Sequence, residues 1–169
     1  MNRPIVKIKP NTSEKVVEFL GLIIIICTAF IPLVLYNRLP EIVPTHINIY
    51  GKIDGYGGKG ILIVLPIISI ITYIGLSILQ KYPHIFNYPI EINENNFYKL
   101  YSLGINLCRF SKIAVTLILA YIVIHFICNA IGKTVTLIPM FFLFLGFNIG
   151  IIYYLIKMYK CKNNWRPNV

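Results

Sequence analysis

His46, Asn48 and Asp54 fall within one short stretch, with Gly51 and Gly55 interleaved and Lys59 close behind. An imidazole beside a carboxylate can move a proton, hold a ligand by hydrogen bonds or contribute to a metal site. One histidine and one carboxylate are too few for a specific metal site, so no metal is expected. The phosphate-loop pattern also fails. Set on Gly58-Lys59, it meets Ile53 where the first glycine belongs and Gly60 where Ser or Thr belongs. His46, Asn48, Gly51, Asp54, Gly55 and Lys59 therefore form a candidate binding surface. Hydrogen bonding within the segment is the simpler role for His46 and Asn48.

A second set is Tyr121, His125 and Asn129, spaced at i, i+4 and i+8, which places them on one helical face. An ionisable group inside an apolar helix is a functional candidate, and it can equally hold helices together. The second role is preferred, because no Asp or Glu lies in 61–80, 113–132 or 134–156. Gly146 and Gly150 make a small-x-x-x-small pair suited to close helix approach or to a homo-oligomer contact. No nucleophile elbow, zinc-protease helix or dinucleotide fingerprint occurs. No catalysis and no cofactor are expected.

The elements that must carry these residues follow from composition. The 169-residue chain is 57% hydrophobic and 13% charged, against about 45–50% and about 25% in soluble domains. That excludes an ordinary soluble domain and a disordered chain. Four runs, 16–36, 61–80, 113–132 and 134–156, approach the roughly 20 apolar residues that cross a bilayer. An open sheet cannot lie in lipid with its edges unpaired, so these are helices. The expected fold is an all-α membrane protein. Four transmembrane helices span residues 16–157, with a tight hairpin between the last two. Tails of 1–15 and 158–169 flank the bundle. The first run lacks a small-x-small cleavage site and is expected to stay. The cysteines (Cys27, Cys108, Cys128, Cys161) lack metal or redox spacing, and Cys27 and Cys128, in apolar runs, read as small buried hydrophobes.

The excess of 16 Lys and Arg over six acidic residues is explained by membrane orientation, without nucleic acid. Four spans place both tails and the 81–112 loop on one side. That side holds twelve basic residues against four, Arg38, Lys52, Lys59 and Lys133, on the other. The bias predicts both termini in the cytoplasm of a bacterial inner membrane, with 38–60 outside. Asn11-Thr12-Ser13 then lies on the wrong side for glycosylation. Tyr36, Tyr82, Phe86, Tyr88, Tyr159 and Trp165 sit where interfacial aromatic anchors occur.

Within the outward loop, Pro40 and Pro44 stiffen the start. Thr45–Tyr50 alternates as a short strand, with Ile47 and Ile49 turned inward and His46, Asn48 and Tyr50 on the other face. Gly51 and Gly55 are placed at turn positions needing positive φ. Within the inward loop, Asn93 is positioned to cap a helix from Glu94. Its polar stripe of Lys99, Ser102, Asn106 and Arg109 would lie in the headgroup layer, or the helix would run on into the third span. Pro32, Pro66 and Pro139 are candidate kinks.

The string Leu39-Pro40, Pro44-Thr45-His46-x-Asn48-x-x-Gly51-x-x-Asp54-Gly55-Tyr56-Gly57-x-Lys59, then Leu65-Pro66, resembles the signature of the domain of unknown function 1648 family of bacterial membrane proteins. Tyr82–Pro89 resembles the next segment in short members of that family. The same domain opens the larger SdpI-type immunity proteins, and Asn163–Pro167 faintly resembles the end of their second domain. The resemblance implies a multi-pass membrane protein. For the SdpI type it implies immunity to a toxic peptide and retention of a repressor at the membrane.

The expected function is therefore a non-enzymatic membrane protein that senses or binds through its outward loop. One alternative is SdpI-like immunity or signalling, with a cytoplasmic partner. Another is a small transporter subunit using the His125 face. The expected partners are the lipid bilayer and a peptide or protein ligand at the outer face.

Overall fold

The computed structural model describes residues 3–48 and 50–162. Four helices, α1 (Thr12–Leu35), α2 (Ile61–Leu79), α3 (Phe97–Ala130) and α4 (Ile138–Lys160), make up most of it. All four are long and apolar enough to cross a membrane. Two strands, β1 (Ile42–Ile47) and β2 (Ile53–Gly58), form an antiparallel hairpin between α1 and α2. The hairpin and the 131–137 connection lie at one end of the bundle, the hairpin end. The N-terminal strap, the 80–96 loop and the C-terminus of α4 lie at the other, the terminal end.

Each helix boundary has a local cause. Asn11 accepts the Glu14 amide at 2.8 Å while the Glu14 carboxylate accepts the Asn11 amide at 2.9 Å, a reciprocal cap that starts α1 at Thr12, upstream of its apolar run. α3 ends where Gly132 takes φ of 78°. There the Lys133 amide donates to the Cys128 carbonyl at 2.8 Å and the Gly132 amide to the Asn129 carbonyl at 3.0 Å, the paired closure that a glycine permits.

Several sequence expectations need correction. The inward helix starts at Phe97, not Glu94: Asn93 accepts the Asn95 and Asn96 amides in a turn before it. Of the two arrangements expected for that helix, the one found is continuity with the third span, giving a 34-residue α3 about 51 Å long. The fourth helix begins at Ile138 rather than 134, so Pro139 sits in its first turn and kinks nothing. Pro32 and Pro66 are buried inside α1 and α2. The outward strand runs from Ile42 and ends at Ile47, and it is paired, which one strand's alternation does not reveal. Ile49, Trp165 and 163–167 lie outside the described residues.

The core has two parts. At the hairpin end, Leu39 and Val43 pack with Leu62, Val123, Phe126 and Ile127. Burying such a side chain contributes about 1.5–3 kcal/mol, which fixes the hairpin to α3. At the terminal end, Leu100 packs with Met158 and Cys161, and Tyr88, Ile90 and Ile92 close over them. Gly104 lets the loop in: a β-carbon there would stand 2.7 Å from the Tyr88 hydroxyl and 2.8 Å from the Phe86 ring. Phe86 and Tyr88 stack on one another and Tyr88 on Tyr101. They serve the packing of the loop, whereas Tyr82 and Tyr159 stay exposed. Burial, with smaller contributions from Tyr101 and Cys108, pushes the Tyr88 phenol above its ordinary pKa.

Candidate functional site

The hairpin holds the candidate binding residues, and the fold uses them unequally. Asn48 is a turn residue. Its side chain accepts the Tyr50 and Lys52 amides, each at 3.0 Å, so His46, Asn48 and Tyr50 do not share a strand face as expected. Gly51 has φ of 79°, as the sequence implied. Gly55 does not take positive φ. It is required by proximity, since a β-carbon would lie 2.8 Å from that of His46. Lys59 pairs with Glu41 at 2.9 Å and lies 4.7 Å from the Tyr36 ring centre, closing the base of the hairpin.

His46 and Asp54 differ from these. The pairing slips after Pro44, so that His46 opposes Gly55 and its Nδ1 meets the Asp54 carboxylate. Both side chains are largely exposed. The carboxylate holds the ring through Nδ1, and no hydrogen bond to Nε2 occurs among the described residues, the arrangement by which a second group orients a working histidine. Tyr50, Tyr56 and Ile42 are exposed on the same hairpin. Its other side, Leu39, Val43 and Ile47, is anchored in the core. The surface can offer an imidazole, a carboxylate and two phenols on a rigid frame. Among the described residues no group of three metal-ligating side chains occurs.

The Tyr121, His125 and Asn129 face is brought together as expected, around the 131–137 connection. His125 Nε2 lies 3.1 Å from the Val135 carbonyl, and Asn129 donates to the His125 carbonyl at 2.8 Å. The Tyr121 hydroxyl donates to the Thr136 carbonyl. His125 and Tyr121 tie α3 to the connection, while Asn129 bonds within α3 and braces His125. Of the glycine pair, Gly150 packs: a β-carbon there would fall onto the Phe110 ring, whereas nothing lies near Gly146. The two do not form one contact.

Sequence reading misses a charged network at the terminal end. The polar stripe places Arg109 toward headgroups, yet it is buried, as is Lys112. Glu18 meets Lys112 Nζ at 2.5 Å and Arg109 Nε at 2.9 Å, with Glu14 3.4 Å from Arg109. Lys112 also donates to Ser77 at 2.9 Å and to the Gln80 carbonyl oxygen at 3.0 Å, and it lies 4.7 Å from the Tyr73 ring centre. Gln80 in turn donates to Glu18 at 3.2 Å. The available signal is depth. Glu18 near the start of one span, Ser77 and Gln80 at the end of the next, and Arg109 and Lys112 before the third all lie at one level.

Comparison with known proteins agrees with the sequence resemblance. Residues 23–70, which run from α1 through the hairpin into α2, match the family described as domain of unknown function (DUF1648). An uncharacterized protein of Archaeoglobus fulgidus is 37% identical over 78 residues, a match covering 41% of this chain and 43% of that protein. The chain thus spans less than half the length of the curated relative it matches. No solved structure matches.

Proposed function

We propose that the protein is a multi-pass protein of the bacterial inner membrane, with cytoplasmic termini, that binds a peptide or protein ligand through its outward hairpin and performs no catalysis. The observation carrying this reading is the two-sidedness of the hairpin. Its inner side is held by buried Leu39 and Val43. Its outer side presents exposed Tyr50 and Tyr56 beside an imidazole oriented by Asp54. Polar and aromatic groups on a loop held by a rigid scaffold are what recognition uses, and tyrosine supplies large contact area with few rotatable bonds. The match over residues 23–70 covers this unit with the later half of α1 and the first half of α2, which flank it in the chain. The orientation rests on the basic residues beside the spans.

The test combines topology with function. A cysteine in place of Lys52 should react with an impermeant reagent added outside, and one in place of Lys7 should not. In the strain whose phenotype deletion reveals, His46→Gln and Tyr56→Ala should fail to complement while reaching parental membrane levels. Full complementation by both variants would remove the hairpin as the working surface, and reversed labelling would remove the orientation.

A further inference from the structure

At the terminal end a cleft of about 540 Å³ opens between the N-terminal strap and the bundle, and Arg109 and Glu18 form part of its wall. The strap is held in place from its far end. Arg3 Nη1 donates to the carbonyls of His84 at 3.0 Å and Phe86 at 2.7 Å. The strap then runs past the cleft, with Val6 and Ile8 half-buried and Lys7 and Lys9 exposed. Lys81, at the end of α2, stands on the same rim.

The charges do not balance there. Glu14 and Glu18 are matched by Arg109 and Lys112. Among the described residues, Lys7, Lys9 and Lys81 have no acidic partner, which leaves three cations around one opening. Arg109 adds a specific donor. Its Nε and Nη1 are engaged by Glu18, Glu14 and Asn106, while its Nη2 has no hydrogen-bond partner among the described residues. Its side chain is only 8% exposed. A nearly buried guanidinium with a spare pair of donors, in a cleft rimmed by lysines, is suited to an oxyanion. The walls beside it are apolar, supplied by Val6, Ile8, Pro10, Pro83 and Ile105. A cationic rim over apolar walls at the end of a bundle fits an amphiphile with a charged head.

We propose that this cleft binds the headgroup phosphate of an anionic phospholipid, from the leaflet on the side of the termini. Lys7, Lys9 and Lys81 hold the phosphate at the rim, Arg109 Nη2 donates to it, and an acyl chain follows the apolar wall. This site is separate from the hairpin and does not depend on the hairpin's role.

The experiment uses the full chain in neutral detergent, with phosphatidylglycerol, phosphatidylcholine and inorganic phosphate as probes. Native mass spectrometry should show one phosphatidylglycerol retained, with phosphatidylcholine lost, and inorganic phosphate should leave the melting temperature unchanged. Combining Lys7→Gln, Lys9→Gln and Lys81→Gln should weaken phosphatidylglycerol retention on the order of a hundredfold, at roughly fivefold per lysine. Its melting temperature without lipid should match the parent's, since these side chains stand at the rim and make no ion pair. Lys52→Gln with Lys133→Gln, at the hairpin end, should change nothing. Equal retention of both lipids, parental retention by the triple variant, or stabilisation by inorganic phosphate equal to that by phosphatidylglycerol would each overturn the proposal. So would displacement of the lipid by a short acidic peptide.

Discussion

The two ends of the bundle are closed by different chemistry. At the hairpin end the ties that α3 makes are neutral: His125 and Tyr121 bond backbone carbonyls of the 131–137 connection, and a hairpin caps an apolar core. At the terminal end, helices α1 and α3 are joined through ion pairs among Glu14, Glu18, Arg109 and Lys112, with Ser77 and Gln80 of the α2 end alongside. The difference teaches where each end is vulnerable. Neutral ties fail one at a time and cheaply. A buried charge that loses its partner keeps the full cost of leaving water.

The largest effect should follow from Glu18→Leu, which leaves Lys112 without a carboxylate and Arg109 with Glu14 alone. The expected loss is about 3–5 kcal/mol, seen as collapse of membrane levels or of the melting temperature in detergent. Combining it with Lys112→Met and Arg109→Leu should recover most of that loss, because removing all the buried charge removes the penalty. A triple variant as unstable as the single one would show that the ion pairs themselves, and not desolvation, hold this end.

Next is helix contact. Gly150→Leu drives a side chain into Phe110 and should cost about 1–3 kcal/mol. Gly146→Leu, with nothing near it, should be neutral. Thermal unfolding of both variants checks the asymmetry, and Phe110→Ala should relieve the first.

A smaller effect is expected at the hairpin tip. Gly51→Val forces a branched residue to φ of 79°, at about 1–3 kcal/mol of local strain. The hairpin should become sensitive to external protease while the helices stay intact. General loss of the protein would mean that the hairpin end is not a separate unit.

The smallest change in stability should come from Asp54→Asn. An exposed pair is worth about 0–1 kcal/mol, so melting should barely move while complementation is lost. A large drop in melting temperature would turn the His46–Asp54 pair into a structural tie like those of His125.

The helices are readable because the apolar runs are long and lipid admits few alternatives. Gly51 is readable because a turn between polar residues calls for a left-handed position. Gly55 is legible as a necessary glycine, but the physical reason is the approach of His46, which depends on a cross-strand slip that no local pattern records. The second strand, Ile53–Gly58, is hidden by its three glycines, which look like loop. Arg109 is misplaced because helical periodicity describes one helix at a time. Its spacing from Lys99, Ser102 and Asn106 makes a polar stripe visible, and only the neighbouring Glu18 on α1 decides whether the end of that stripe faces headgroups or a partner. Asn11 and Glu14 show the same limit on a smaller scale. The capping pair is present in the sequence, but the apolar run draws the helix start to Val16.

α3 touches both ends of the molecule. Val123, Phe126 and Ile127 carry the base of the hairpin, and Arg109, well before them in the chain, carries the ion pairs. The two points are about 21 Å apart on one uninterrupted rod, and no proline lies between them to act as a hinge. Such a rod cannot be disturbed at one end alone. A tilt of about 5° about its midpoint carries each end of the roughly 51 Å helix through about 2 Å, in opposite directions. The hairpin therefore rides on a lever whose other arm is gripped by charge.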